Sequence, residues 1–220
     1  MLAIRVLAAL TFGIALAATA CAQQLPQGGE DLGAPVHMTL SALEYALGRA
    51  DAPLTVVEFT DYQCPYCRRF QAATWPQLKR DYVDTGKVRF IVRDLPLGIH
   101  SNARPAAEAA HCAGEQGHFW PMHDALLQKD ADLSPGGIAS RAQSLGLDMA
   151  RFRACVAANK YESAIAANAS QADALDIRGT PAFIVGKAVR GDLEGVRLEG
   201  ALPYEDFQGV LNELLSGGGS

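Results

Sequence analysis

Runs and alternations of apolar positions divide the chain into stretches of different rhythm. Leu54-Thr55-Val56-Val57-Glu58-Phe59-Thr60 is β-branched and almost continuously apolar, the pattern of a strand buried on both faces. A helix is expected from Pro65, because proline suits a first helical turn. It should kink or end at Pro76, which cannot donate the internal hydrogen bond. Val88-Arg89-Phe90-Ile91-Val92, reached through Thr85-Gly86, reads as a second strand, and the β-α-β order implies that it runs parallel to the first.

From Asn102 to Asp176 the rhythm turns helical. Ala106, Ala109, Ala110 and Ala113 recur at helical spacing, as do Phe152, Cys155 and Val156, while Gly114, Gly117, Pro135 and Gly146 punctuate several short helices. Strand pattern returns at Ala182-Phe183-Ile184-Val185 and, more weakly, at Val196-Arg197-Leu198. A closing helix, Tyr204 to Leu215, places Phe207, Val210, Leu211, Leu214 and Leu215 on one face. The pattern predicts one α/β domain, residues 53–100 and 177–215, split by an all-helical insertion over 101–176. Residues 216–220 form a flexible Gly/Ser tail. Residues 23–52 read as a lead-in with a short helical stretch, Ser41 to Leu47, ending at Gly48.

The first 22 residues differ in kind. Arg5 precedes an apolar run, Val6 to Ala20, too short for a membrane span and ending in small residues, as an export signal does. Cleavage after Ala22 discards Cys21; cleavage before Cys21 leaves it to carry a lipid anchor. The expected location is the periplasm or another extracytoplasmic space. A composition of 49% hydrophobic and 20% charged residues is that of a globular protein, and a net charge of −5 without a basic stripe excludes a nucleic-acid partner.

Of five cysteines, Cys21 belongs to the signal, leaving Cys64, Cys67, Cys112 and Cys155 as an even set in an oxidising compartment. Cys64-Pro65-Tyr66-Cys67 lies at the strand-to-helix junction. Cys64 there meets the unpaired N–H groups and positive end of a helix, which stabilise a thiolate, and Cys67 lies one turn on. Three chemistries suit such a pair: redox exchange, zinc, or a structural clip. Structural zinc wants a second close pair, and Cys112 and Cys155 are isolated from each other. With redox chemistry assigned to the first two, Cys112 and Cys155 are expected to form a structural disulfide, the alternative being two buried thiols. Greater exposure of the helix-start residue makes Cys64 the expected nucleophile and Cys67 the resolving thiol.

Val57-Glu58-Phe59-Thr60-Asp61-Tyr62-Gln63-Cys64-Pro65-Tyr66-Cys67, the helical insertion and Gly179-Thr180-Pro181 together resemble the DsbA-like thiol:disulfide oxidoreductases, from about Asp51 to the last helix. The resemblance implies a thioredoxin fold interrupted by a helical domain, and transfer of the Cys64–Cys67 disulfide to exported cysteine-containing proteins. It further implies a membrane redox partner for recycling, no cofactor, and a cis Thr180–Pro181 bond facing the site. Gly179, Thr180 and Pro181 are then the substrate-docking edge, where an extended client pairs with free backbone groups. Pro65-Tyr66 departs from the Pro-His of the best-known oxidases and keeps a reductase or isomerase as the alternative; an envelope metal-binding protein using Cys64 and Cys67 is a further one. The short lead-in leaves no room for an isomerase-type dimerisation domain, so a monomer is expected.

Glu58 shares a strand face with Val56 and Thr60. It is expected either beneath the cysteines, as a proton relay for Cys67, or reaching water or Arg93. His100, His111, His118 and His123 read as ordinary surface or half-buried histidines without metal spacing. Phe119, Trp120, Met122 and Leu126 read as core, and Asp61 and Tyr62 as shaping substrate access or forming a solvated turn.

Overall fold

The computed structural model describes residues 35–40 and 45–217. The expected signal, the start of the lead-in, residues 41–44 of the expected helical stretch and the last three tail residues lie outside them. Along the chain the elements are β1 (Val36–Thr39), β2 (Ala46–Leu47), β3 (Leu54–Thr60), α1 (Pro65–Ala73), α2 (Trp75–Leu78), β4 (Val88–Asp94) and α3 (Ala103–Gly114). There follow α4 (Phe119–Leu126), α5 (Pro135–Ser144), α6 (Met149–Ala157), α7 (Glu162–Ala174), β5 (Ala182–Val189), β6 (Asp192–Glu199) and α8 (Tyr204–Ser216).

The strands form one six-stranded sheet in the order β1-β6-β5-β3-β4-β2. β3 and β4 run parallel, with Val56 opposite Phe90 and Glu58 opposite Val92, and the other neighbours are antiparallel. Every residue of β3 is buried because helices cover both faces. Leu54, Val56 and Glu58 point to one face, where Leu54 and Val56 join Phe70, Leu78, Phe90, Phe183 and Phe207. Val57 and Phe59 point to the other, against Ile91, Ile184, Ile177 and Ala172 of α7. The rings of Phe70, Phe183 and Phe207 meet at 4.7–5.6 Å, each pair adding about 0.5–1.5 kcal/mol beyond area burial.

The lead-in supplies both edge strands, and Ala46–Leu47 is strand where a helix was expected. Pairing with β4 decides this, since two residues carry too little local preference to set their own conformation. The expected break falls just before Pro76: α1 ends at Ala73, and Pro76 sits in the first turn of α2, which runs into a π-helical turn at Lys79–Val83. Gly186 and Gly195 pair across β5 and β6 so closely that a Cβ on Gly186 would lie 1.9 Å from the Glu194 carbonyl oxygen.

Helices α3 to α7 occupy the segment between β4 and β5. α3 is its centre, buried along nearly its whole length, and its alanines let neighbouring helices approach. Ser134 caps α5 by accepting from the Gly137 amide, and Asp148 caps α6 by accepting from Ala150 and Arg151. A disulfide joins Cys112 of α3 to Cys155 of α6, 43 residues apart.

Candidate active site

The C-terminal end of β3 runs through the turn Asp61-Tyr62-Gln63 to Cys64, the N-cap of α1, with Pro65 as the first helical residue. Cys64 has extended backbone dihedrals and makes no side-chain cap, so its sulfur remains free for other partners. Cys67 lies one turn further on. Both thiols are free and both are buried, Cys64 at 3% exposure and Cys67 at 0%, so exposure hardly separates them.

Hydrogen bonding and charge do separate them. The Cys67 thiol, the Thr180 side chain and the backbone amides of Cys67 and Tyr66 all favour the Cys64 thiolate, and its pKa falls from 9.0 to about 5 against the opposing effect of burial. Cys67 is pushed well above its ordinary value by burial first, then by Cys64 and by the charge of Glu58. The Cys64 thiol donates to the Thr180 carbonyl at 3.3 Å, and among the described residues the buried Thr180 hydroxyl has no other hydrogen-bond partner. The Thr180-Pro181 bond is cis. Gly179, Thr180 and Pro181 line a cavity of about 160 Å³ next to Cys64, and nothing occupies the space a Gly179 side chain would take.

Glu58 lies at 1% exposure on the sheet face that carries the cysteines, and among the described residues neither carboxylate oxygen has a partner within hydrogen-bond geometry, Thr60 being the side chain that acts on it. Burial raises its pKa to about 8, so it holds a proton at neutral pH. Arg93 is no partner to it, donating instead to Gln171 and to the Thr39 carbonyl.

Asp61 is no solvated turn residue. At 1% exposure, one carboxylate oxygen accepts from the amides of Gln63 at 2.7 Å and Cys64 at 3.1 Å; the other accepts from the Leu97 amide and meets His100 Nδ1, both at 2.8 Å. One side chain thus ties the start of α1 to the loop after β4. An aspartate three residues before a helix N-cap offers its oxygen to nearby amides, which is the signal the sequence carried. Gln63 extends the clasp by accepting from the Asn102 amide at 2.7 Å. Tyr62 faces inward, its hydroxyl 3.0 Å from Nδ1 of His123 in α4.

His123 is wholly buried, and burial lowers its pKa to about 4, so it is a neutral partner to Tyr62. His111 is also buried and pairs with Asp94 at 2.7 Å; burial pushes its pKa down, but the Asp94 charge and hydrogen bond outweigh that and the net shift is upward. Neither is the surface or half-buried histidine expected, because residue spacing alone does not reveal a partner on another element. Pro65 and Tyr66 remain outside, with Tyr66 55% exposed and the Arg69 guanidinium 5.0 Å from its ring centre. Cys112 and Cys155 stand apart, in the helical segment.

The profile of the Thioredoxin family matches residues 41–213. The chain is 41% identical over 143 residues to the protein named Na+/H+ antiporter NhaA 3 of Salinispora tropica, covering 64% of this chain. It spans only about a fifth, 21%, of that longer relative, and among the described residues no helix is long and apolar enough to cross a membrane. Disulfide bond formation protein D of Bacillus subtilis is 35% identical over 104 residues, 44% of this chain and 47% of that one. The crystal structure of Pseudomonas aeruginosa DsbA2 superposes with a TM-score of 0.65 at 27% identity, covering 86% of this chain and 100% of that one. With a thioredoxin sheet, a helical segment between its halves and Cys-Pro-Tyr-Cys opening α1 beside a cis-proline, the chain belongs to the thioredoxin family and is similar in structure to DsbA2.

Proposed function

We propose that the chain is an exported thiol oxidase, which donates the Cys64–Cys67 disulfide to pairs of cysteines in other exported proteins. The observation that carries this reading is the split between the two sulfurs: donors lower the Cys64 thiol to about pH 5, while burial and charge raise that of Cys67. Stabilising one thiolate stabilises the reduced form, and a pair whose reduced form is stabilised is a strong oxidant.

The electron balance is simple. A client thiolate attacks Cys64 Sγ; the S–S bond to Cys67 breaks, a client–Cys64 disulfide forms, and Cys67 leaves with the bonding pair. That sulfur is a strong base in its buried setting and needs a proton at once. Glu58, protonated at neutral pH, is the proposed donor, by direct transfer or through a water. A second client thiolate then attacks the client sulfur of the mixed disulfide and expels Cys64, a good leaving group because its thiolate is stabilised. Two electrons have passed from client to enzyme, and a disulfide-bearing membrane partner would take them in turn. The edge at Gly179-Thr180-Pro181, of which Gly179 is exposed, would hold the client backbone. Export rests on Arg5 and the apolar run Val6 to Ala20.

The test is the equilibrium of the Cys64–Cys67 pair with glutathione across redox poise. A midpoint near the oxidising end, about −120 mV, is expected; one near the thioredoxin value of about −270 mV would make the protein a reductant and overturn the reading.

A further inference from the structure

Two cavities that share no lining residue lie near the cysteine motif: the one lined by Thr180, whose carbonyl meets Cys64, and a groove of about 410 Å³ along the outer face of α1, lined by Gln63 and Pro65. We propose that this groove binds an acidic stretch of the client polypeptide next to the cysteine under attack. The inference rests on thiol exchange at Cys64 as proposed above, and names the client chemistry that the same site selects.

The groove passes close to the cysteine motif, because Gln63 and Pro65, the sequence neighbours of the buried Cys64, both line it. Pro65, Ala72 and Ala73 give it small apolar surfaces, whereas Arg68, Arg69 and Lys129 give it three positive charges. In a chain of net charge −5 this is a local reversal of sign. Five arginines elsewhere, Arg49, Arg80, Arg104, Arg178 and Arg197, each form an ion pair with a carboxylate.

The groove cations are held differently. Arg68 donates to the carbonyls of Tyr62, Lys129 and Ala131, which fix the guanidinium without neutralising it. Arg69 donates to the Ala201 carbonyl at 3.4 Å and lies over the Tyr66 ring. Lys129 forms no ion pair among the described residues; Asp130, its neighbour in sequence, forms none, and Asp124 is taken by Gln71. Asp61, the carboxylate nearest in sequence, is buried and fully engaged. Uncompensated charge beside a shallow groove attracts an oppositely charged segment and speeds its encounter, with an effect that falls as salt rises.

The test uses the whole exported chain and two probes. The first is a cysteine-free acidic decapeptide added to isotope-labelled protein at low ionic strength. Amide shifts at Gln63, Arg69, Ala72, Ala73 and Lys129 are expected, and a glutamine-for-glutamate peptide should not produce them. The second is a set of reduced dithiol peptides identical but for Glu, Gln or Lys beside the attacking cysteine, mixed with the oxidised protein. Rates are expressed relative to the Gln peptide, so that any effect on Cys64 itself cancels. The Glu peptide should react about tenfold faster than the Lys peptide at low salt, and this ratio should fall toward one at 0.5 M salt and invert in Arg69→Glu/Lys129→Glu. No oxidation of the Gln peptide would defeat the exchange reading while the decapeptide shifts still decide the groove. Equal rates for all three peptides, absent shifts, or shifts produced by anionic phospholipid vesicles and not by the peptide would each overturn the proposal.

Discussion

The chain holds two buried cysteine pairs in opposite surroundings. Cys64 and Cys67 sit three apart at the start of α1, where the Cys67 thiol, the Thr180 side chain and backbone amides favour a thiolate on the first sulfur. Cys112 and Cys155 sit 43 apart on two helices, and their sulfurs face acceptors: Glu108 Oε1 lies 3.8 Å from Cys112 Sγ and Glu115 Oε1 3.7 Å from Cys155 Sγ. A thiolate formed there would meet carboxylate oxygens instead of N–H groups. All four sulfurs are buried, and burial alone raises a thiol pKa, as it does first of all at Cys67; hydrogen-bond donors beside Cys64 overcome it and lower the pKa of that sulfur.

The largest expected effect comes from removing one member of the first pair. Cys64→Ser should abolish oxidation of a reduced dithiol peptide, by more than about a thousandfold, since Cys67 alone cannot form the disulfide that the peptide thiolate attacks. Cys112→Ala/Cys155→Ala should still oxidise the peptide. If the double variant lost exchange as fully as Cys64→Ser, the division between a reacting and a structural pair would fail.

Stability should respond in the opposite sense. Releasing the 43-residue loop in Cys112→Ala/Cys155→Ala should lower unfolding free energy in urea by about 4 kcal/mol on the chain-entropy view. A loss below about 1 kcal/mol would show that the helical segment does not depend on the bridge.

Next comes Glu58, whose folded pKa of about 8 stands above its ordinary 4.5. Between those values the folded state binds the proton and the unfolded state does not, so its contribution to stability is fully present below about pH 4.5 and lost as pH rises to about 8. Relative to Glu58→Gln, the wild type should therefore lose a few kcal/mol across that window, roughly 1.4 kcal/mol per pH unit at most. Parallel stability curves for the two proteins would place the carboxyl in a wetter site.

A smaller change is expected at the turn. Asp61→Asn keeps one acceptor but sets an NH2 group against the Leu97 amide, which should cost about 1–3 kcal/mol. Retained stability would mean that the clasp on α1 is dispensable.

Much of this was legible in the residues. β3 announced itself through continuous β-branched and apolar positions, and the two cysteines through spacing at a strand-to-helix junction. The edge strands β1 and β2 were not legible, because four and two residues carry no period and owe their form to neighbours far along the chain. The buried roles of Asp61 and His123 were hidden for a related reason: their partners, Leu97 and His100 for one and Tyr62 for the other, lie 36 to 61 residues away. The groove on α1 needed Lys129 to be carried back beside Arg68 and Arg69, which only the tertiary fold does.

Site-resolved alkylation of the reduced protein across pH tests most directly the claim that its surroundings, and not its exposure, make Cys64 the reactive sulfur. Iodoacetamide labelling of Cys64, followed by mass spectrometry, should reach half its maximal rate near pH 5, with Cys67 unlabelled through pH 9. A Cys64 transition near the ordinary thiol value of about 8.5, or earlier labelling of Cys67, would contradict it.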